Sequence, residues 1–155
     1  MVPAVDRLEL QGSAMLAPTP LLIAQLLVSA FLGILFLQSG LDKVFDWRGN
    51  RSYIQGYFEK TPLRTLSLMM LFTITLAEVL SGAVSVIGVG VLLLTGQTLV
   101  AFVGACLSGA SVLALFLGQR IAKDYAGAAG MVPYFIATVL SVLLLGHGAS
   151  IAPAG

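Results

Sequence analysis

The sequence predicts an all-α membrane protein, a four-transmembrane-helix up-down bundle with a short interfacial helix in the first connection. Composition is the first reason. Hydrophobic residues make up 58% of the 155-residue chain and charged ones only 10%, against about 25% in soluble domains, and mean hydropathy is +1.00. The second is patterning. Apolar residues gather in Leu21 to Leu37, Thr65 to Thr95, Leu99 to Leu117 and Tyr125 to Gly146, each near or above the roughly 20 residues that cross a bilayer core. The runs are solid rather than alternating, which argues against a β-barrel. The third is charge placement. Of 8 Lys and Arg residues, Lys43, Arg48, Arg51, Lys60 and Arg64 fall in the first connection and Arg120 and Lys123 in the third, leaving Arg7 on the other side. Basic connections stay in the cytoplasm, so both termini are expected outside it, in a bacterial cytoplasmic (inner) membrane. A net charge of +1 gives no reason to expect a nucleic-acid partner; membrane lipid is the expected surrounding.

Residues 1–18 read as an irregular tail, followed by one domain over 19–147 and a second tail over 148–155. The first twenty residues carry Asp6 and Glu9 and lack a basic start, unlike a standard signal peptide, so the first span is expected to remain as an anchor. Thr19-Pro20 is a helix start, with a hydroxyl cap and a proline whose missing N–H costs nothing there. The first helix is expected over about 20–41, with Gly40 allowing close backbone approach. In the connection, Tyr53, Ile54, Tyr57 and Phe58 recur at helical spacing after Phe45 and Trp47, among charges. Such aromatics favour the headgroup layer, and an interfacial helix is expected near 51–59.

Thr61-Pro62 repeats the start signal, and the second helix is expected over 62–94, ending in a Thr95-Gly96-Gln97 turn. The third is expected over 98–119. Its four-spaced small residues, Ala101, Ala105 and Gly109 with Gly104 and Ser108, suit close approach in lipid and mark it as the expected central packing element. Asp124 caps a fourth helix over 125–146, with a kink expected at Pro133.

Glu78 is the most informative residue. It interrupts an otherwise uncharged apolar run, and a carboxylate there must be protonated, paired or watered. Gln38 and Lys43 end the first helix, and Gln119, Arg120, Asp124 and Tyr125 join the third and fourth on the same side of the membrane. Together these residues form a candidate polar pocket with Glu78 at its floor. Arg120 and Asp124, four apart, have the spacing of a helical ion pair. Three roles are open to Glu78: a structural hydrogen-bond network, a proton or ligand site, or a subunit contact. No spacing suits a metal, and single residues Cys106 and His147 supply neither a redox pair nor a ligand set.

Three segments resemble the DoxX family of small four-helix membrane proteins: FLGILFLQSGLDKVFDW at Phe31–Trp47, LAEVLSG at Leu76–Gly82 and GQRIAKDYAG at Gly118–Gly127. The likeness covers about Leu21 to Gly146. It implies a four-helix fold, an acidic position in the second helix falling on Glu78, and a place near membrane redox or stress-response complexes. The family supplies no agreed catalytic residues. The function expected is therefore an accessory or structural subunit of a larger membrane redox or respiratory assembly, not catalytic alone. It would work with other membrane protein subunits and bind no cofactor by itself. A quinone-binding component of a thiosulfate-linked or other membrane oxidoreductase is the alternative, with quinone as its cofactor, and a small dimeric transporter is the third reading.

Overall fold

Thr19 caps the first helix: its hydroxyl accepts the Leu22 N–H at 3.2 Å and Pro20 takes the first turn. In the computed structural model, which describes residues 19–147, this helix (α1) runs Pro20–Phe45. The two tails, and Arg7 with them, lie outside the described residues. α1 passes its expected end at 41 because Asp42 and Lys43 continue the helical turn. The break comes at Asp46, whose carboxylate accepts the Gly49 N–H at 3.0 Å and caps α2, Trp47–Tyr57. α2 thus begins and ends before the expected 51–59. The aromatic face is also revised. Phe58, just past the end of α2, is 3% exposed, whereas Tyr53 is 65% exposed.

Thr61-Pro62 forms a turn rather than a helix start. The Thr61 hydroxyl accepts the Leu63 N–H at 3.2 Å and donates to the Phe58 carbonyl at 3.0 Å. A local hydroxyl turn of this kind competes with helix initiation. A 3-10 turn at Arg64–Leu66 leads into α3, Ser67–Thr95. Gly96, with φ 71°, closes α3 in the left-handed conformation that glycine adopts without a Cβ penalty. α4 spans Leu99–Ile121. The last membrane segment is two helices, α5 (Tyr125–Gly130) and α6 (Val132–Gly146). The break falls at Met131, two residues before Pro133, which has no N–H to give the preceding turn.

Four helical segments are long and apolar enough to cross a membrane: Pro20–Phe45, Arg64–Thr95, Leu99–Ile121 and Tyr125–Gly146. Their outward residues, including Leu27, Ile34, Phe72, Ile87 and Leu143, are exposed apolar side chains. Such a belt suits acyl chains, while helices satisfy their own backbone groups. The chain is a multi-pass, all-α membrane protein.

The central packing element is α3, not α4. On one side it meets α1 along an antiparallel seam in which Gly33 faces Val86, Gly40 faces Val79 and Gly82 faces Leu37. On the other it meets α4, where Gly88 faces Ala101 and Gly104 faces Ser85. Ala101, Ala105, Gly104 and Ser108 are buried as expected, but Gly109 is only half-buried, and a Cβ there would touch Thr138 at an ordinary 3.6 Å. The α1 seam uses Gly33, Gly40 and Gly82 and the α4 seam Gly88, Gly104 and Ser85, because association in lipid relies on van der Waals contact, which needs small side chains. The buried serines suit this setting. Ser81, Ser111 and Ser141 donate to the carbonyl four residues back on their own helices, at 2.7, 3.0 and 2.7 Å. At the far end the Gln25 amide donates to the Leu144 carbonyl at 2.9 Å, tying α1 to α6.

Candidate functional site

Glu78 is 1% exposed, and its partners come from α1. Lys43 Nζ stands 2.7 Å from Glu78 Oε2. The Ser39 hydroxyl donates to Glu78 Oε1 at 3.2 Å. Lys43 in turn donates to the Ser39 hydroxyl at 2.9 Å and to the Ser39 carbonyl at 3.2 Å. Ser39 and Lys43 are four residues apart and so share a flank of α1. This is the single ion pair among the described residues.

The seam fixes how deep the pair lies. Gly40 faces Val79 in an antiparallel register, so Glu78 stands beside Leu41, four residues from the end of α1 at Phe45. At 1.5 Å per residue that is about 6 Å from the helix end. On its own helix, however, Glu78 sits near the middle of the Arg64–Thr95 span. The α3–α4 register sets it level with Ser111, about 15 Å from the end of α4 at Ile121. The carboxylate is therefore deep in the bundle, and Lys43 reaches it from the last turn of α1. The Lys43 side chain is 19% exposed and that of Glu78 1%, so the ammonium reaches toward the surface while the carboxylate stays covered. A buried pair of this kind is costly to desolvate, but breaking it by removing one member costs more, about 3–5 kcal/mol, because an uncompensated charge remains.

The expected pocket is divided. Gln38 is exposed on the opposite flank of the α1 seam from Ser39 and does not reach Glu78. Gln119 lies two turns of α3 away: with Gly88 facing Ala101 and Ser85 facing Gly104, it falls level with Met70. Its Oε1 is buried without a hydrogen-bond partner. Ser39 was the neighbour that sequence reasoning missed. The signal was its four-residue spacing from Lys43, the nearest cation to a charge that needed one.

Arg120, Asp124 and Tyr125 form a second cluster at the bundle end, with Tyr57 as the unanticipated member. The Tyr57 hydroxyl donates to Asp124 Oδ2 at 2.9 Å, and Asp124 Oδ1 accepts the Gly127 N–H at 2.8 Å, capping α5. The spacing of Arg120 and Asp124 suggested a pair; instead the Arg120 guanidinium lies 4.8 Å over the Tyr125 ring, a cation–π contact. Burial, then the bond to Asp124, pushes the Tyr57 hydroxyl up to about 12. The Gly127 N–H, and after it the Tyr57 hydroxyl, hold the Asp124 carboxyl below its usual range. This bond docks the α2–α3 connection onto the α4–α5 junction.

Beside it, Lys123 has φ 60°, a left-handed conformation that costs a residue with a Cβ roughly 1–2 kcal/mol. Lys123 stands just past α4, where the Ala122 N–H donates to the Gly118 carbonyl and the Lys123 N–H to the Arg120 carbonyl. Glycine is the usual occupant of such a position.

Comparison with family models, curated proteins and solved structures finds no match.

Proposed function

We propose that this protein is an accessory subunit of a larger redox or respiratory assembly in a bacterial cytoplasmic membrane, with both termini outside the cytoplasm. In this reading the Lys43–Glu78 pair clamps α1 to α3. One observation carries the clamp: both oxygens of the buried carboxylate are engaged by α1, Oε2 by Lys43 and Oε1 by Ser39. A group spent on its own chain holds helices in place. The redox setting rests on the DoxX resemblance, and the orientation on the seven basic residues at one end of the bundle. The chain would rely on partner subunits for any electron carrier.

One observation favours the second reading, a quinone-binding oxidoreductase component. The partial exposure of Lys43 leaves its ammonium as a link between the bundle surface and the buried Glu78, along which a proton could pass to a quinone. The test is gentle detergent extraction at native expression, followed by mass spectrometry of the intact assembly and an optical scan for bound cofactors. The accessory reading expects stoichiometric co-extraction with a cofactor-bearing partner. Isolation as a homodimer without any cofactor would favour a transporter instead.

A further inference from the structure

At the basic end of the bundle an open cleft of about 810 Å³ separates the α2–α3 connection from the α4–α5 junction. Its polar lining comprises Tyr57, Glu59, Lys60, Thr61 and Lys123. We propose that this cleft holds a phospholipid headgroup: Lys60 and Lys123 take the phosphate, and Glu59 takes the amine of a phosphoethanolamine.

Charge is the first argument. Lys60 and Lys123 are exposed, and neither forms an ion pair with a described residue. The nearby acid, Asp124, pairs with neither of them; its oxygens accept Tyr57 and Gly127. Two free ammonium groups across one cleft suit a phosphate, which lysine binds as a point charge.

Depth is the second. One wall is made by Ile121, the end of a membrane-spanning helix, and the other by Pro62, just before the span that starts at Arg64. The cleft therefore opens at the level where headgroups lie. A lipid phosphate reaches it without leaving the bilayer.

Backbone conformation is the third. A lysine stands at φ 60° where glycine would be free of strain. Strain retained at such a position points to a use for the side chain. Glu59 on the same rim would repel a purely anionic group, and it selects a headgroup that carries an amine beside its phosphate.

The test uses the full chain in detergent, with native mass spectrometry during titration by phosphatidylethanolamine, phosphatidylglycerol or inorganic phosphate. Wild type should retain phosphatidylethanolamine in preference to phosphatidylglycerol. Lys60→Gln with Lys123→Gln should weaken that retention about tenfold, the scale of one or two charge-assisted contacts. Arg48→Gln with Arg51→Gln removes two charges from α2, outside the cleft, and should leave it unchanged. Glu59→Gln should shift the preference toward phosphatidylglycerol.

Lys123→Gly separates binding from folding. It relieves the left-handed residue, so the protein should melt at the same temperature or higher while losing lipid. Undiminished retention in Lys123→Gly, or equal loss in the Arg48/Arg51 control, would overturn the site. A wild-type preference for phosphatidylglycerol, or displacement of lipid by inorganic phosphate, would overturn the assigned headgroup.

Discussion

Gly82 of α3 lies against the backbone of Leu37 of α1, so close that a Cβ on Gly82 would come within 2.6 Å of the Leu37 Cα. No side-chain rotation relieves a clash with backbone. Gly82→Ala should therefore force the helices apart and cost about 3 kcal/mol or more, at the upper end for overpacked positions. Gly109→Ala meets only ordinary contact with Thr138 at 3.6 Å and should cost no more than about 1 kcal/mol. Unfolding of both variants in mixed micelles checks the ranking. Equal losses would count against a tight seam between α1 and α3.

That contrast marks where the sequence was legible. Helix number, the Thr19 and Asp124 caps and the break before Pro133 each depend on local chemistry, and local chemistry is written in neighbouring residues. Choosing between α3 and α4 as the centre was not local. Both helices carry small residues, and only the partner's register decides which stripe is pressed against a backbone. Glu78 announced itself as a buried charge, but its neighbours did not. Gln38 and Ser39 are adjacent in sequence and lie on opposite flanks of a seam that no single helix defines. Tyr57 and Asp124 are 67 residues apart, and no periodicity connects them.

The Tyr57–Asp124 bond predicts a pH response. The Asp124 carboxyl is held below its usual 3.8. Its contribution is present above that value and is lost as pH falls through the lowered one. Tyr57 is pushed up from 10 to about 12. Its contribution is full below 10 and is lost as pH rises through about 12. Docking of the α2–α3 connection should thus hold constant across the neutral range. Alkaline absorbance titration with Tyr53, Tyr125 and Tyr134 changed to Phe reads Tyr57 alone. Asp124→Asn preserves the helix cap and should bring the phenol back down toward 10. An ordinary phenol titration in the Asp124-containing protein would contradict the docking.

Membrane orientation gives a third expectation. With Cys106 replaced by Ser, single cysteines at Ser52 in α2 and Gln97 in the α3–α4 turn face opposite sides of the bilayer. In intact cells an impermeant maleimide should label position 97 and should reach position 52 only after permeabilisation. Labelling of position 52 from outside would reverse the topology.

The central claim is that Lys43 and Glu78 clamp α1 to α3. A double-mutant cycle of unfolding free energy in bicelles tests it most directly, using Lys43→Met, Glu78→Leu and the two together. Each single substitution leaves a charge in a site built for a pair and should cost about 3–5 kcal/mol. The double substitution removes both charges and should recover most of that loss, since apolar replacement of a buried pair is often close to neutral. Groups kept for chemistry rather than stability behave differently, because their removal often leaves a protein as stable or more so. If Glu78→Leu alone unfolds no more readily than wild type, the clamp is wrong and the carboxylate is there for a reaction.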